Sequence, residues 1–339
     1  MIENSVSKMS NNYLTTKADE CIEKIRSVDF QNLGISAYNL QYVQMLLPIT
    51  EYYFSMCIRA FSLLAKNNPA NTTIVDFGGG HGFLSIFLKS LGFKVIYCDL
   101  NPLSAETVLK LKQECNLGPD YIIQGSTPEL VSFCRAESIV PDCLISIDVI
   151  EHVYDLSLLF KNLQLLNPLL EMVFTTASNP KNKIKSHQLR KGMCIVESEY
   201  LQKRIKYISD SFPDLTAEQT LMLAKQCRGK NYADTYTAVA DYIKSGVIPA
   251  ELHDRFNTCN PETGNWYERI LPLSNYQNIT GQYGFHVSFS SGLYNAKRNN
   301  IITSTIAKAV NGYINRYQKS GMKAAPYICL HVNSTVKEK

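Results

Sequence analysis

The sequence predicts an α/β fold: an open, largely parallel sheet with helices on both faces, preceded by a helical cap and interrupted by a helical insertion. Three observations carry this. Short apolar, β-branched runs recur near 73–77, 94–98, 120–124, 142–147 and 170–176, with helical patterns between them. The first run opens through Asp76-Phe77-Gly78-Gly79-Gly80-His81-Gly82 into a helix carrying Phe83, Phe87, Leu88 and Leu91. The chain closes on two further strand patterns, near 285–289 and 327–332, which brings the expected sheet to seven strands.

In chain order, residues 1–68 read as an N-terminal helical cap. Leu14, Ala18, Cys21, Ile22, Ile25 and Val28 form one helical stripe, and a second segment runs from Leu46 to Leu64, where Pro48 is expected to kink or break it. Tyr38, Tyr42, Tyr52 and Tyr53 cluster here, either lining an acceptor pocket or packing cap to core. Residues 69–194 and 276–339 carry the βα alternation, which implies right-handed crossovers and ligands at the carboxyl ends of the strands. Residues 195–275 are too long for a simple crossover. A capping box at Thr216-Ala217-Glu218-Gln219 and helix-stop glycines at Gly229 and Gly246 mark them as a helical insertion or lid. Its polar end holds the only tryptophan; Trp266 anchors that loop, or joins Glu268 and Arg269 in facing a polar or sugar-like acceptor. A last helix is expected near 299–318.

Composition removes several function classes. A net charge of +4 over 339 residues is too mild for a dedicated nucleic-acid protein, and the basic residues Lys297, Arg298, Arg316, Lys319 and Lys323 read most simply as a solvated helical face. Ten scattered cysteines without a C-x-x-C pair fit reduced thiols rather than a disulfide framework or a cysteine zinc site. No apolar run approaches the roughly 18 residues of a membrane span, and Met-Ile-Glu-Asn-Ser at the start lacks the regions of a secretory signal. A cytoplasmic protein is expected.

The glycine turn decides the ligand class. Glycines at alternate positions let a ligand approach main-chain N–H groups that a Cβ would shield. A dinucleotide fingerprint starting from Gly78 and Gly80 needs its third glycine where Phe83 stands, so that match fails. What is present, D-x-G-x-G-x-G, resembles motif I of the class I S-adenosylmethionine-dependent methyltransferases, with a Rossmann-like seven-stranded sheet. The resemblance implies that Asp76, Gly78, Gly80 and Gly82 wrap the cofactor. Asp99, ending Val95-Ile96-Tyr97-Cys98-Asp99, would accept the ribose hydroxyls or cap the next helix. Ser126 stands where the family often has an adenine-reading acid. Its hydroxyl or a backbone group is expected to replace that acid.

Ser146-Ile147-Asp148-Val149-Ile150-Glu151-His152-Val153 resembles the D/E-V-x-E-H-V segment of the ubiquinone O-methyltransferase group. That resemblance adds Asp148 to the cofactor residues and implies O-methylation of a small molecule, a saccharide or a lipid-linked intermediate. The asparagine–proline–proline–aromatic motif of nucleic-acid amino-methylases is missing from this place. Displacement at a sulfonium needs alignment and, for a hydroxyl acceptor, a base; His152 has a suitable ordinary pKa, with a structural histidine as the alternative.

Asp148, Glu151 and His152, spaced i, i+3 and i+4, would share a face on a starting helical turn and hold a divalent ion. With His187 as a further histidine, the set resembles that of the small-RNA 2′-O-methyltransferases. A metal-assisted RNA enzyme is therefore the first alternative, and a non-catalytic binding protein on the same fold the second. A metal-free base is the leading expectation. Oligomeric state is not legible.

Overall fold

A computed structural model of the protein describes residues 9–296 and 300–336. The expected basic pair Lys297-Arg298 and the N-terminal Met-Ile-Glu-Asn-Ser lie outside the described residues. The elements in chain order are α1 (Asn11–Arg26), α2 (Ala37–Leu46), α3 (Thr50–Phe61), β1 (Thr73–Phe77), α4 (Phe83–Ser90), β2 (Lys94–Asp99) and α5 (Pro102–Cys115). There follow β3 (Tyr121–Gln124), α6 (Thr127–Ala136), β4 (Cys143–Ile147), α7 (Leu156–Leu166), β5 (Glu171–Thr176), α8 (Lys183–Ser211), α9 (Ala217–Gln226) and α10 (Tyr232–Ser245). The chain ends with β6 (Thr258–Cys259), β7 (Trp266–Glu268), α11 (Leu273–Gln282), β8 (Phe285–Ser291), α12 (Ile301–Arg316), α13 (Gln318–Gly321) and β9 (Ile328–Ser334).

Contacts divide the chain into two compact units: residues 1–149, 157–176 and 274–339 form the first, and residues 150–156 and 177–273 the second. The first holds a seven-stranded sheet in the order β3-β2-β1-β4-β5-β9-β8. Strands β1 to β5 pair in parallel, and β9 runs antiparallel to both β5 and β8. Being covered on both faces, the inner strands are apolar throughout rather than alternating; Ile74, Val75, Val95, Ile96, Leu144 and Ile145 are all fully buried.

The same logic shapes α4, whose Phe83, Leu84, Ile86, Phe87 and Leu88 are buried together. Phe87 meets Phe54 of α3 edge-on at 5.9 Å and Phe61 at 6.4 Å, and the α1 stripe Leu14, Cys21 and Ile25 joins this core. The N-terminal helices thus belong to the unit that contains the sheet. Pro48 does interrupt its segment: Leu47–Ile49 form a 3₁₀ turn between α2 and α3, since proline lacks the N–H that a continuous helix needs there.

The second unit takes residues 150–156 after β4 and the chain beyond β5, and is built on the 29-residue helix α8. Ile208, Leu223, Cys227 and Val239 form its apolar core. Beside it the fully buried Arg204 donates from Nη2 to Glu197 Oε1 at 2.5 Å and from Nε to the Ala224 carbonyl at 2.8 Å. Arg228 Nε lies 3.1 Å from the same Glu197 oxygen, and Thr258 donates to the other at 2.5 Å. The capping box expected at Thr216 is present, with Gln219 closing it, and Gly246 ends α10 with φ +71°. Strands β6 and β7 pair as a separate hairpin outside the large sheet.

Candidate functional site

Strand order reverses between β1 and β4, because β2 and β3 lie beyond one and β5 beyond the other. In open α/β sheets that reversal opens a crevice at the carboxyl ends of the strands. The glycine turn follows β1 there. Gly78, Gly80 and Gly82 have φ of +67°, +51° and +74°, a region that costs any residue with a Cβ. The protein itself explains three glycines of the turn: a Cβ would lie 2.6 Å from Val149 at Gly78, 2.7 Å from Asp76 and Tyr97 at Gly79, and 2.9 Å from Val108 at Gly82. Gly80 differs. Its Cβ would point into open space, with Tyr42 Cε1 the nearest atom at 3.9 Å.

The backbone at Gly80 is held from both sides. Its N–H donates to Asp99 Oδ2 at 2.9 Å, and its carbonyl accepts the Tyr97 hydroxyl at 2.6 Å. Asp99 also accepts the Asn101 N–H on Oδ1 at 2.8 Å, so each carboxylate oxygen takes one backbone donor and retains a further lone pair. Burial raises its pKa above the ordinary carboxylate value, opposed by those two N–H groups. The expected helix-capping role next door falls to Asn101, whose side chain accepts from Leu103 N.

Asp76 lies beneath the turn, 1% exposed, and accepts the Ser85 hydroxyl at 2.6 Å. Burial pushes its carboxyl up to about 7, against the opposing Ser85 hydrogen bond. It braces the loop from below. Ser126 caps α6: its oxygen accepts Thr127 N–H at 2.7 Å while Glu129 reaches back to the Ser126 N–H at 2.8 Å. Helix capping is therefore sufficient reason for this serine.

Sequence reasoning passed over His81, Asn39 and the placement of Tyr42. His81 is buried, with Nε2 3.1 Å from the Asn39 carbonyl, and the Tyr42 ring packs on it at 4.6 Å. Asn39 in turn donates to the Leu103 carbonyl and the Thr107 hydroxyl, which ties α2 to α5. Burial lowers the His81 pKa to about 4, so the ring is neutral at physiological pH. Burial also raises the Tyr42 pKa, with the charges of Asp148 and Asp99 adding to it. Of the four tyrosines noted in the sequence, Tyr42 is thus the one set against the glycine turn.

The metal set expected from spacing is corrected. Residues 148–155 form turns rather than a helix. Asp148 has φ +53°, which reverses the chain just after β4 while its N–H donates to the Thr175 carbonyl at 3.1 Å. The i, i+3, i+4 geometry is lost, and Asp148 stays with the sheet unit at the end of β4. Within the second unit, Glu151, His152 and Glu268 bring one ligand-type atom each to within 4.8 Å of one another. His187 is exposed on α8 and is not part of this group.

His152 is fixed by the β7 hairpin. Its Nδ1 lies 2.9 Å from the Trp266 carbonyl, and its own carbonyl accepts the Trp266 N–H at 3.1 Å. A carbonyl only accepts, so Nδ1 carries the proton and a neutral ring presents its lone pair at Nε2. Glu268 Oε2 accepts the Ser178 hydroxyl at 2.6 Å. Trp266 is buried and anchors the loop, its Nε1 donating to the Tyr154 carbonyl at 3.3 Å with the Arg269 guanidinium 4.4 Å over its ring.

Residues 49–211 match the family model described as a methyltransferase domain. Similar solved structures include an S-adenosylmethionine-dependent methyltransferase from Mesorhizobium loti, at 13% identity over 81% of this chain and 95% of that one, with a TM-score of 0.37. A proposed S-adenosylmethionine-dependent methyltransferase from Listeria monocytogenes has 12% identity over 84% and 99%, with a TM-score of 0.40. A proposed methyltransferase from Haloferax volcanii, in complex with the Trm112 methyltransferase activator, has 11% identity over 86% and 93%, with a TM-score of 0.41. Identities and scores this low say nothing of acceptor or partner.

The matched domain, with the sheet order and the glycine turn, defines the class: the protein is an S-adenosylmethionine-dependent methyltransferase. The residues present fit that cofactor. Gly80 leaves open the path that a Cβ would fill, and Asp99 keeps lone pairs for hydroxyl donors at the next strand end.

Proposed function

We propose that the protein methylates an oxygen of a small molecule, a saccharide or a lipid-linked intermediate, as its resemblance to the ubiquinone O-methyltransferase group implies, with His152 as the base. When bound, S-adenosylmethionine supplies an electrophilic methyl group. Gly78, Gly80, Gly82, Asp99 and Asp148 hold and orient it, while Asp76 and Ser126 act on the same loops from behind. The observation that carries the reading is the 2.9 Å contact of His152 Nδ1 with the Trp266 carbonyl, which leaves Nε2 as the basic nitrogen. A hydroxyl acceptor would lose its proton to Nε2 as its oxygen takes the methyl group from the sulfonium sulfur, releasing S-adenosylhomocysteine, and the proton would pass on to solvent.

The N-terminal cap 1–68 and the expected insertion 195–275, which the cofactor motifs do not reach, are assigned acceptor choice. A cytoplasmic setting is supported by the ten cysteines, all free and nine of them buried. Among the described residues no helix is long and apolar enough to cross a membrane.

Single-turnover rates test the reading. His152→Ala should lose about 10²–10⁴-fold in turnover at nearly unchanged cofactor affinity. If Glu151→Ala and Glu268→Ala are as damaging and a chelator stops the wild type, the three residues act through a metal. Wild-type turnover by His152→Ala on the true acceptor leaves His152 a structural residue and ends the proposal.

A further inference from the structure

Charge is distributed unevenly along this chain. Between Glu268 and Glu338 the sequence holds no Asp or Glu but eight Lys or Arg, so a protein of net charge +4 carries +8 in this stretch and −4 elsewhere. Asymmetry of this kind points to an anionic partner. The stretch contains α12, whose sequence IITSTIAKAVNGYINR has Lys308 and Arg316 as its only charges.

Helix α12 packs on its own unit through a narrow stripe in which Ala307 and Ile314 are buried. The opposite face is also apolar. Ile302, Ile306, Ala309 and Tyr313 follow one another at intervals of four, three and four residues, so they line one side of the helix. All are exposed, Ile302 at 69% and Ile306 at 57%. Tyr317 extends the row, its ring 5.2 Å from that of Tyr313, with the Arg316 guanidinium 5.7 Å from the Tyr317 ring centre. Exposed Lys308, Lys319 and Lys323 stand on or just beyond the helix.

We propose that α12 is a membrane-surface helix that docks the protein on an anionic phospholipid bilayer. Aliphatic side chains on an outward face are what separates this from a nucleic-acid surface. A phosphodiester backbone offers isoleucine nothing, whereas the headgroup–acyl boundary takes up Ile302 and Ile306, and interfacial tyrosines have one apolar and one wet end. Arg316, Lys319 and Lys323 complement the negative potential of such a leaflet, while Asp19, Glu23 and Glu51 gather with Ser304 and Lys308, off the Ile302–Tyr313 row. The helix lies along the surface and does not span it.

Vesicle co-sedimentation of the full chain tests this. At low salt the protein should partition at least about tenfold more onto phosphatidylcholine vesicles holding roughly 30% phosphatidylglycerol than onto pure phosphatidylcholine, and about 0.5 M salt should release it. Ile302→Glu/Ile306→Glu should lower the bound fraction by about tenfold or more while S-adenosylhomocysteine binding, read by calorimetry, stays intact. Ile302→Ser/Ile306→Ser should act in the same direction. Equal binding to both vesicle types, or no effect of either double variant, overturns the proposal. So does tight binding of single-stranded RNA that the isoleucine variants retain, or self-association without lipid that they abolish, since each assigns the face to another occupant.

Discussion

Gly80→Ala separates a glycine kept for the fold from one kept for a ligand. The added methyl meets nothing closer than Tyr42 Cε1 at 3.9 Å, so the folding cost is that of a non-glycine residue at φ +51°, about 1–2 kcal/mol. Gly78→Ala has φ +67° and in addition drives its Cβ to 2.6 Å from Val149, adding roughly 1–3 kcal/mol of overpacking. The loop cannot step aside at Gly80, since its N–H is bonded to Asp99 and its carbonyl to Tyr97. With the cofactor on the open side of Gly80, as proposed, the methyl would stand in its path. Calorimetry with S-adenosylhomocysteine should show Gly80→Ala weakened by at least about 30-fold, near 2 kcal/mol, while its urea midpoint remains above that of Gly78→Ala. Binding by Gly80→Ala within twofold of wild type would refute the assignment of the open side of Gly80 to the cofactor.

Three further outcomes follow from the same contacts. Glu197→Ala strands the fully buried Arg204 and should cost about 3–5 kcal/mol in urea unfolding; adding Arg204→Met should recover part of that loss, and no recovery would deny the pair its coupling. Asp76 holds its proton up to about pH 7 in the folded protein against an ordinary 3.8, so the stability it contributes is complete below about pH 4 and lost as pH rises through 7. The urea midpoint of Asp76→Asn relative to wild type should accordingly be higher at pH 8 than at pH 5, and an equal difference at both would contradict a raised Asp76. Tyr42→Ala should weaken S-adenosylhomocysteine binding by about three- to tenfold, in line with one aromatic contact, and an unchanged affinity would leave Tyr42 as packing for His81 alone.

What could be read from the sequence, and what could not, divides along a physical line. Strands β1 to β5 and the glycine turn are local facts: a continuous apolar run, a break at Asp76 or Asp99, and glycines where φ must be positive. The His81 arrangement is not local. Its partners Asn39 and Tyr42 stand about forty residues upstream on α2, and in the motif His81 occupies a position that any residue fills, so spacing gave no reason to single it out. A usable signal existed, since a histidine between three glycines and a buried helix must find a polar partner or remain unsatisfied. The metal candidates were legible only in part, for the opposite reason, too much trust in local spacing: Glu151 and His152 stand together, but with Glu268 rather than Asp148. Placing Asp148, Glu151 and His152 on one face assumed a helix, but aspartate tolerates the left-handed region better than most residues, and φ +53° at Asp148 turns the chain instead. Glu268 then stands with Glu151 and His152 because the β7 hairpin returns 114 residues later to take the His152 imidazole on the Trp266 carbonyl. The contact that fixes the basic nitrogen is thus made by the loop whose tryptophan and charges the sequence left open between anchor and acceptor site. The anchoring is what holds the histidine in place, so truncating Trp266 should disturb the His152 imidazole resonances even though the contact runs through the main chain.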